Sequence, residues 1–443
     1  MVKPPRNPPP FEKRLASVSP RRLEDVISAL VGPTHEGAYL HWDKLRFLKP
    51  PGDLSADEWW LATKAARLRL LKDLPLRDAA GRPFQFCMPD LAQELAFKIT
   101  RDAGGSIGVS DQITNPSTRD RYLVRSLIEE AITSSQLEGA AVTRKVAKEM
   151  VRTGRTPADR NERMIMNNYL AMSHIRQHTA EAITPNLLFD LHHLLTVDTL
   201  DNPDAVGRLR RPDEKIQVAT PYNEVLHIPP AAEKLEARLE AMCRFANQET
   251  PEYFLHPVIR AVILHFWLAY DHPFVDGNGR TARALFYWSM LSQGYWLCEY
   301  ISISQVIKKA PAQYGRAFLY TETDANDVTY FILYHLEVIR RAIDELHAYL
   351  DRKLREIVQT ERLLRQAKGL NRRQIDLLSH ALRHADARYT FRSHQRSHNI
   401  VYQTARSDLL DLAKRGLLVQ QQIGRTYCFS PPADLEARLQ RLR

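Results

Sequence analysis

The chain has 443 residues, 44% hydrophobic and 26% charged, which suits a globular protein of two to four domains at about 100–200 residues each. That excludes a collagen-like chain, a wholly disordered one and a small disulfide-stapled scaffold. The formal charge of +10 is unevenly spread: residues 351–443 hold 19 Lys and Arg against 9 Asp and Glu, and the first 350 residues balance at 43 of each. A basic terminal domain on a neutral body points to a polyanionic partner for the C-terminus.

Residues 1–15 are Pro-rich and basic and read as a flexible arm. They hold no apolar stretch of the kind a secretory signal requires. No uninterrupted apolar run reaches about 18 residues anywhere in the chain, so no membrane span is expected. Cys87, Cys243, Cys298 and Cys428 lie far apart with no CxxC pair. That spacing is expected of free thiols in a reducing compartment, and the expected location is cytoplasmic.

Residues 16–117 form a mixed region. Within it Ser55 and Glu58 make a capping-box signature for a helix carrying Trp59 and Trp60, two expected packing anchors. Residues 118–352 follow helical periodicity, as in Leu123, Leu127, Ile128, Ala131 and Ile132, and again around 187–195, 256–270, 279–293 and 327–349. The exception is 207–230. There Ile216, Gln217 and Val218 alternate, a turn follows at 220–223, and Val225–Ile228 returns before Pro229 and Pro230, which predicts a short β-hairpin. Residues 353–370 read as a charged helical connector. Residues 371–443 predict three helices, the last ended by Gly416, and then a hairpin around 423–425. That is the order of a winged helix-turn-helix domain, so the fold class expected is mainly α.

The chemistry concentrates in Asp271-His272-Pro273-Phe274-Val275-Asp276-Gly277-Asn278-Gly279-Arg280-Thr281-Ala282-Arg283, a loop between two apolar helices. Gly277 and Gly279 allow close backbone approach to a ligand. The N–H groups of a helix start attract anions. Arg280 and Arg283, three residues apart, fall on one helix face and can grip phosphate oxygens. Asp276 is a hard oxygen donor suited to Mg²⁺ on a nucleotide. His272 can accept a hydroxyl proton. Singly, each of these is also an ordinary turn or loop residue; together and in order they describe a phosphotransfer site.

This segment resembles the signature of Fic-domain proteins, His-Pro-Phe-x-[Asp/Glu]-Gly-Asn-Gly-Arg-x-x-Arg, at every fixed position. The resemblance extends over about 118–349. It implies an all-helical Fic core in which the hairpin is a flap, with residues 16–117 as an associated N-terminal region. It also implies AMPylation, the transfer of AMP from ATP to a Ser, Thr or Tyr hydroxyl of a protein, with Mg²⁺ or Mn²⁺ and with self-modification. By that resemblance His272 is the base and Asp276 the metal ligand. Asn278 and the amides of 277–280 take the α- and β-phosphates with Arg280, and Arg283 takes the γ-phosphate. Ile216, Gln217 and Val218 of the flap dock the target segment by strand addition. A branch that transfers the γ-phosphate carries Lys where this chain has Gly279, which argues against kinase activity. Two departures leave the nucleobase open: Leu209 replaces the usual flap aromatic, and the usual Tyr pair is Tyr314-Gly315.

Ser134-Ser135-Gln136-Leu137-Glu138-Gly139 resembles the family's inhibitory motif. The resemblance implies that Ser134, Glu138 and Gly139 form a brake in which Glu138 pairs with Arg283 and keeps the γ-phosphate from seating. A plain helix end reads the same way in isolation. The same glutamate could orient a water, so removal of AMP stays open as an alternative. A DNA-binding regulator with a nucleotide-sensing core is another alternative, with Arg392, Arg396, Arg406 and Arg425 on one side of the terminal domain as the expected DNA contacts. His380, His384, His394 and His398 are expected there as solvated or phosphate-facing. A homodimer is also compatible with the sequence.

Overall fold

Helix Pro257–Asp271 is apolar on every side, and all of its residues but Pro257 and Ala269 are buried, which is the place for a helix without a polar face. Helix Asn278–Ser292 follows it after a six-residue loop and packs against it. Around this pair lie helices Pro116–Leu137, Arg160–Gln177 and Pro185–Thr196, then Pro311–Thr323. The computed structural model describes residues 3–104, 116–220, 222–366, 369–383, 387–423 and 426–440. It divides into two compact units, Met1–Leu346 and His347–Arg443. Helices dominate the described residues and the strands form short antiparallel pairs, so the protein is mainly α as expected. Among the described residues no helix is long and apolar enough to cross a membrane.

In the first unit Ser55 and Glu58 close the expected capping box, and Trp59 and Trp60 are buried against Val26, Trp42, Leu45 and Leu54. The segment expected as a flexible arm is partly helical instead. Phe11–Ser17 forms a helix whose Arg14 pairs with Asp57, and the Arg6 amide donates to Asp43. These contacts tie the segment to helices Trp42–Leu45 and Ala56–Leu68 despite its Pro-rich composition. A strand pair that the periodicity did not suggest joins Lys72–Arg77 to Pro83–Phe86. Its Leu74 and Leu76 alternate inward, and Gly81 turns at φ +85°. From it Gln85 bonds to both Asn326 and Val328. Lys64 and Arg67 from the Ala56–Leu68 helix surround buried Asp324, and Tyr39 donates to buried Asp327. These contacts bind the N-terminal region to the helices that follow the 272–277 loop.

The expected flap hairpin is present but shorter. Only Val218–Ala219 pairs with Val225–His227, with Val218 opposite His227. Ile216 and Gln217 lie outside the ladder. Pro229 and Pro230, which would face Ile216 and the residue before it, lack the N–H groups that would extend it.

The segment expected as a charged helical connector, 353–370, is helical through Gln366. One helix runs Thr329–Gln366, because no Gly or Pro interrupts that stretch. In the second unit, helices Arg372–Arg383, Phe391–His398 and Tyr402–Lys414 precede the antiparallel pair Val419–Ile423 and Thr426–Ser430. A terminal helix, Leu435–Gln440, adds Leu435 and Leu439 to a core of Leu378, Phe391, Leu409, Leu412 and Phe429.

Candidate active site

The loop between helices Pro257–Asp271 and Asn278–Ser292 is set by its own residues. His272 caps the first helix in the left-handed region at φ +46°, a conformation that a non-glycine residue holds only when its surroundings fix it. Three contacts do so. The His272 carbonyl accepts from Arg210 Nε at 2.9 Å, the Arg210 amide donates to Pro273 O at 2.9 Å, and the His272 ring Nδ1 lies 3.0 Å from Ala269 O. A carbonyl only accepts, so Nδ1 carries the hydrogen and Nε2 presents its lone pair. Burial holds the His272 pKa below its ordinary value, although the Ala269 bond works the other way. The ring is therefore neutral at pH 7 and able to take a proton.

Asn278 locks the loop. Its side-chain oxygen accepts from the Phe274 amide at 2.9 Å and its nitrogen donates to Phe274 O at 2.8 Å. Its side chain thus serves the backbone, and only its amide remains for a ligand. Asn278→Ala would leave both buried Phe274 groups unpaired. The expected cost is about 1–3 kcal/mol, read as a fall in the thermal unfolding midpoint; an unchanged midpoint would show that other contacts hold the loop.

Gly277 is required twice over. Its φ is +82°, and a Cβ there would lie 2.6 Å from Thr196 Cγ2. No side chain caps the following helix, so the N–H groups of Asn278, Gly279 and Arg280 have no acceptor within it. They form the anion-attracting end expected from sequence.

Glu138 occupies that end. A Cβ added at Gly279 would overlap Glu138 Oε1. Glu138 Oε1 also accepts from Arg283 NH2 at 2.8 Å. Arg283 is buried and is held further by Ser134, donating through Nε to Oγ at 2.8 Å and through NH2 to the carbonyl at 3.0 Å. Burial pushes the Glu138 pKa up, but Arg283, with Arg280 and His272, outweighs it and leaves the carboxyl below its ordinary range. Gly139, at φ +95°, turns the chain after the glutamate.

The two arginines do not share a face in the way their spacing suggests. Arg283 turns toward helix Pro116–Leu137. Arg280 turns the other way, donating through NH1 to Leu195 O at 2.7 Å, with NH2 3.9 Å from Asp276 Oδ2. Its Nε and NH2 are buried without a hydrogen-bond partner among the described residues. Packing against different neighbouring helices separates them. Asp276 keeps a half-exposed carboxylate (49%) and accepts from the Gly277 amide at 2.6 Å.

A cavity of about 340 Å³ opens over the loop, bordered by Glu138, His272, Asp276 and Gly277–Gly279. Its further walls include Val218 and His227 from the flap, and Tyr314, Phe318 and Glu322 from helix Pro311–Thr323. Tyr314 is fixed by a 2.9 Å bond to His265 Nε2. Of the flap residues expected to dock a target, Val218 reaches this cavity and Ile216 and Gln217 do not line it.

Sequence reasoning missed His192. Its Nε2 lies 2.9 Å from Asp276 O, its Nδ1 accepts from the Gly207 amide at 3.0 Å, and its ring stacks on Phe274 at 3.8 Å. Burial lowers its pKa to about 4, so it stays neutral. The adjacent His192-His193 in a Leu-rich helix was the only signal for it. Arg210, which fixes His272, was missed as well.

In the second unit Arg392, Arg396 and Arg406 are exposed on the Phe391–His398 and Tyr402–Lys414 helices. Arg425 and His384 lie outside the described residues. His394, expected to be solvated, is buried with Nε2 3.2 Å from Asp408 Oδ2, because Asp408 supplies an inward partner for it.

The sequence model of the Fic/DOC family matches residues 182–290, which contain the whole loop. Residues 182–290 are a Fic domain. The chain is 28% identical over 183 residues to a protein named Protein adenylyltransferase Fic from Nematostella vectensis, covering 40% of each. It is also 28% identical over 199 residues to the like-named protein of Drosophila melanogaster, covering 44% of this chain and 37% of that one. The chain thus spans well under half the length of these curated relatives. In fold it is similar to a Fic family protein from Desulfovibrio desulfuricans G20, with a TM-score of 0.54 and 18% identity over 78% of this chain and 96% of that one. His272, the Gly277–Arg280 turn and Arg283 all lie inside the Fic domain, whereas Glu138 and Tyr314 lie outside the matched residues.

Proposed function

We propose that this chain is a protein adenylyltransferase that moves AMP from ATP to a Ser, Thr or Tyr hydroxyl on a protein, itself included, and that Glu138 restrains it. The observation that carries the reading is the place of the Glu138 carboxylate: over the first turn of helix Asn278–Ser292, paired with Arg283, beside a neutral His272. That is where a nucleotide phosphate would find free N–H groups and a guanidinium.

In this reading the amides of Gly277–Arg280 receive the α- and β-phosphates. The buried guanidinium of Arg280, whose Nε and NH2 have no hydrogen-bond partner among the described residues, adds positive charge beside the turn. His272 Nε2 takes the proton of the target hydroxyl as its oxygen bonds to the α-phosphorus. The bond from that phosphorus to the β-bridging oxygen breaks, and pyrophosphate leaves with the electron pair. Asp276 is a single hard carboxylate beside the phosphate position, so it fits Mg²⁺ or Mn²⁺ shared with the nucleotide. Such an ion, when bound, neutralises phosphate charge. Val218 on the flap edge aligns the target segment. While Glu138 occupies Arg283, the γ-phosphate has no partner and ATP seats unproductively. Glu138 also borders the cavity with its side chain 28% exposed. That position favours, as a second activity of the same site, orientation of a water for AMP removal.

The test is transfer of label from ATP in the Glu138→Gly protein. Label carried from the α-phosphate but not from the γ-phosphate, and lost in Glu138→Gly/His272→Ala, supports the transferase. Transfer of the γ-label, or none from either position, overturns it.

For the second unit we infer a phosphate-backbone partner, DNA, on the exposed Arg392, Arg396 and Arg406 and the net charge of 351–443. Anisotropy with duplex DNA should show affinity falling with salt. Each Arg→Ala change should reduce the slope of log K against log salt by about one. Salt-independent or absent binding would leave the unit as a protein-docking module.

A further inference from the structure

The flap has little to hold it by itself. Its ladder joins two residues to three, with a register shift between Val218 and Ala219, and an isolated two-stranded pair is marginal in water. Its tip is open to solvent, with Tyr222 75% exposed. At the end of strand Val225–His227, however, the His227 side chain is almost wholly enclosed. Its Nδ1 lies 2.8 Å from Glu322 Oε2, on helix Pro311–Thr323. Its Nε2 lies 2.7 Å from the carbonyl of Tyr270, two residues before His272. Its ring also packs on that of Tyr270 at 4.6 Å. Both neighbours of the ring are acceptors. A neutral imidazole has one N–H and satisfies only one of them; the imidazolium donates to both.

We propose that His227 is a positioning residue for the transfer reaction: its two hydrogen bonds clamp the flap to the cavity wall beside His272, so that a segment docked on the flap presents its hydroxyl to His272 Nε2. The inference rests on the transferase reading above. The pairing of His227 with Val218 makes the connection direct, because the residue that reaches the cavity from the docking edge is the one opposite the clamp. The clamp acts on the acceptor, since neither of its bonds goes to the Gly277–Arg280 turn.

The charged and titratable groups facing His227 are Glu322 from one helix, and Tyr270, Asp271 and His272 from the end of the other, with Asp271 paired to Arg238. Burial lowers the His227 pKa, but Glu322, the Tyr270 carbonyl and Asp271 outweigh it and leave it above the ordinary value. The clamp is therefore complete below the unfolded pKa of about 6.5 and is lost as pH rises through the folded value. The His227 charge also helps to lower the His272 pKa. Removing it should move the acid limb of the transfer profile to higher pH, which a purely structural role would not do.

The experiment compares full-length Glu138→Gly protein with Glu138→Gly/His227→Gln and Glu138→Gly/Glu322→Gln, the second variant guarding against a folding failure of the first. Three quantities are measured: amide hydrogen exchange across the flap, the Kd for ATP, and the pH profile of α-label transfer. The expected result is flap exchange and transfer each changed by about tenfold, as for loss of one charge-assisted bond. The Kd for ATP should change less than about twofold, and His227→Gln should shift the acid limb upward. Unchanged flap protection in both variants, or a loss confined to ATP affinity, overturns the clamp. Failure of the Glu138→Gly parent to transfer label would overturn the transferase reading instead, and the exchange data would still judge the clamp.

Discussion

Replacing Glu138 by glycine is expected to raise transfer of α-label from ATP by roughly 10- to 100-fold, the factor that corresponds to removing one charge-assisted contact from a competing state. The carboxylate now pairs with Arg283 and covers Gly279, so a nucleotide must displace it before its own phosphates reach either group. Glycine offers nothing to displace. The change has a structural cost, because a buried cation loses its counter-charge, which reaches about 3–5 kcal/mol where nothing else compensates. Here it should be smaller. Arg283 keeps both bonds to Ser134, and the Glu138 side chain is itself partly exposed. A lower thermal midpoint together with higher transfer is the expected signature, measured by calorimetry and label incorporation on the same preparation. A lower midpoint without added transfer would show that Glu138 stabilises the fold and restrains nothing.

Replacing His272 by alanine in the Glu138→Gly protein should lower transfer by about 10²–10⁴-fold, the usual contribution of a positioned general base. ATP affinity should be nearly unaffected, because the anion-binding amides belong to the next helix. The pH profile of the Glu138→Gly parent carries the same argument. Burial lowers the His272 pKa, so the neutral base persists below the ordinary histidine range. Transfer governed by His272 should not fall between pH 8 and about 6.5, and should decline only as pH drops through the lowered value. A decline beginning well above pH 7 would place the proton elsewhere. Retained transfer in the alanine protein would exclude His272 as the base.

The candidate active-site loop was legible because its chemistry is contiguous. A base, a carboxylate, two glycines and two arginines fall within thirteen residues, and local geometry dictates that a loop entering a helix exposes N–H groups. The helix order was legible for a similar reason, since an apolar stripe at 3.6-residue spacing has few other uses. The direction of each side chain was not. The spacing of Arg280 and Arg283 suggests a shared face, yet one is drawn to Leu195 and the other to Ser134 and Glu138. Asn278, read as a phosphate ligand, spends its side chain on Phe274. His192, Arg210 and His227 each acquire their role from a partner more than forty residues away, which the local sequence does not identify.

By itself, then, the sequence determined the helices flanking the loop, the chemical inventory of the loop and the resemblance that the Fic domain at 182–290 bears out, because these depend on neighbours along the chain. The pairing of Glu138 with Arg283 across 145 residues was reached from sequence only through that resemblance, and only the tertiary structure decided that Arg280 turns toward Leu195 and that the flap is held through Glu322 and Tyr270. Hydrogen bonds and ion pairs form at distances of about 3 Å in space, and separation along the chain does not specify which groups packing brings that close.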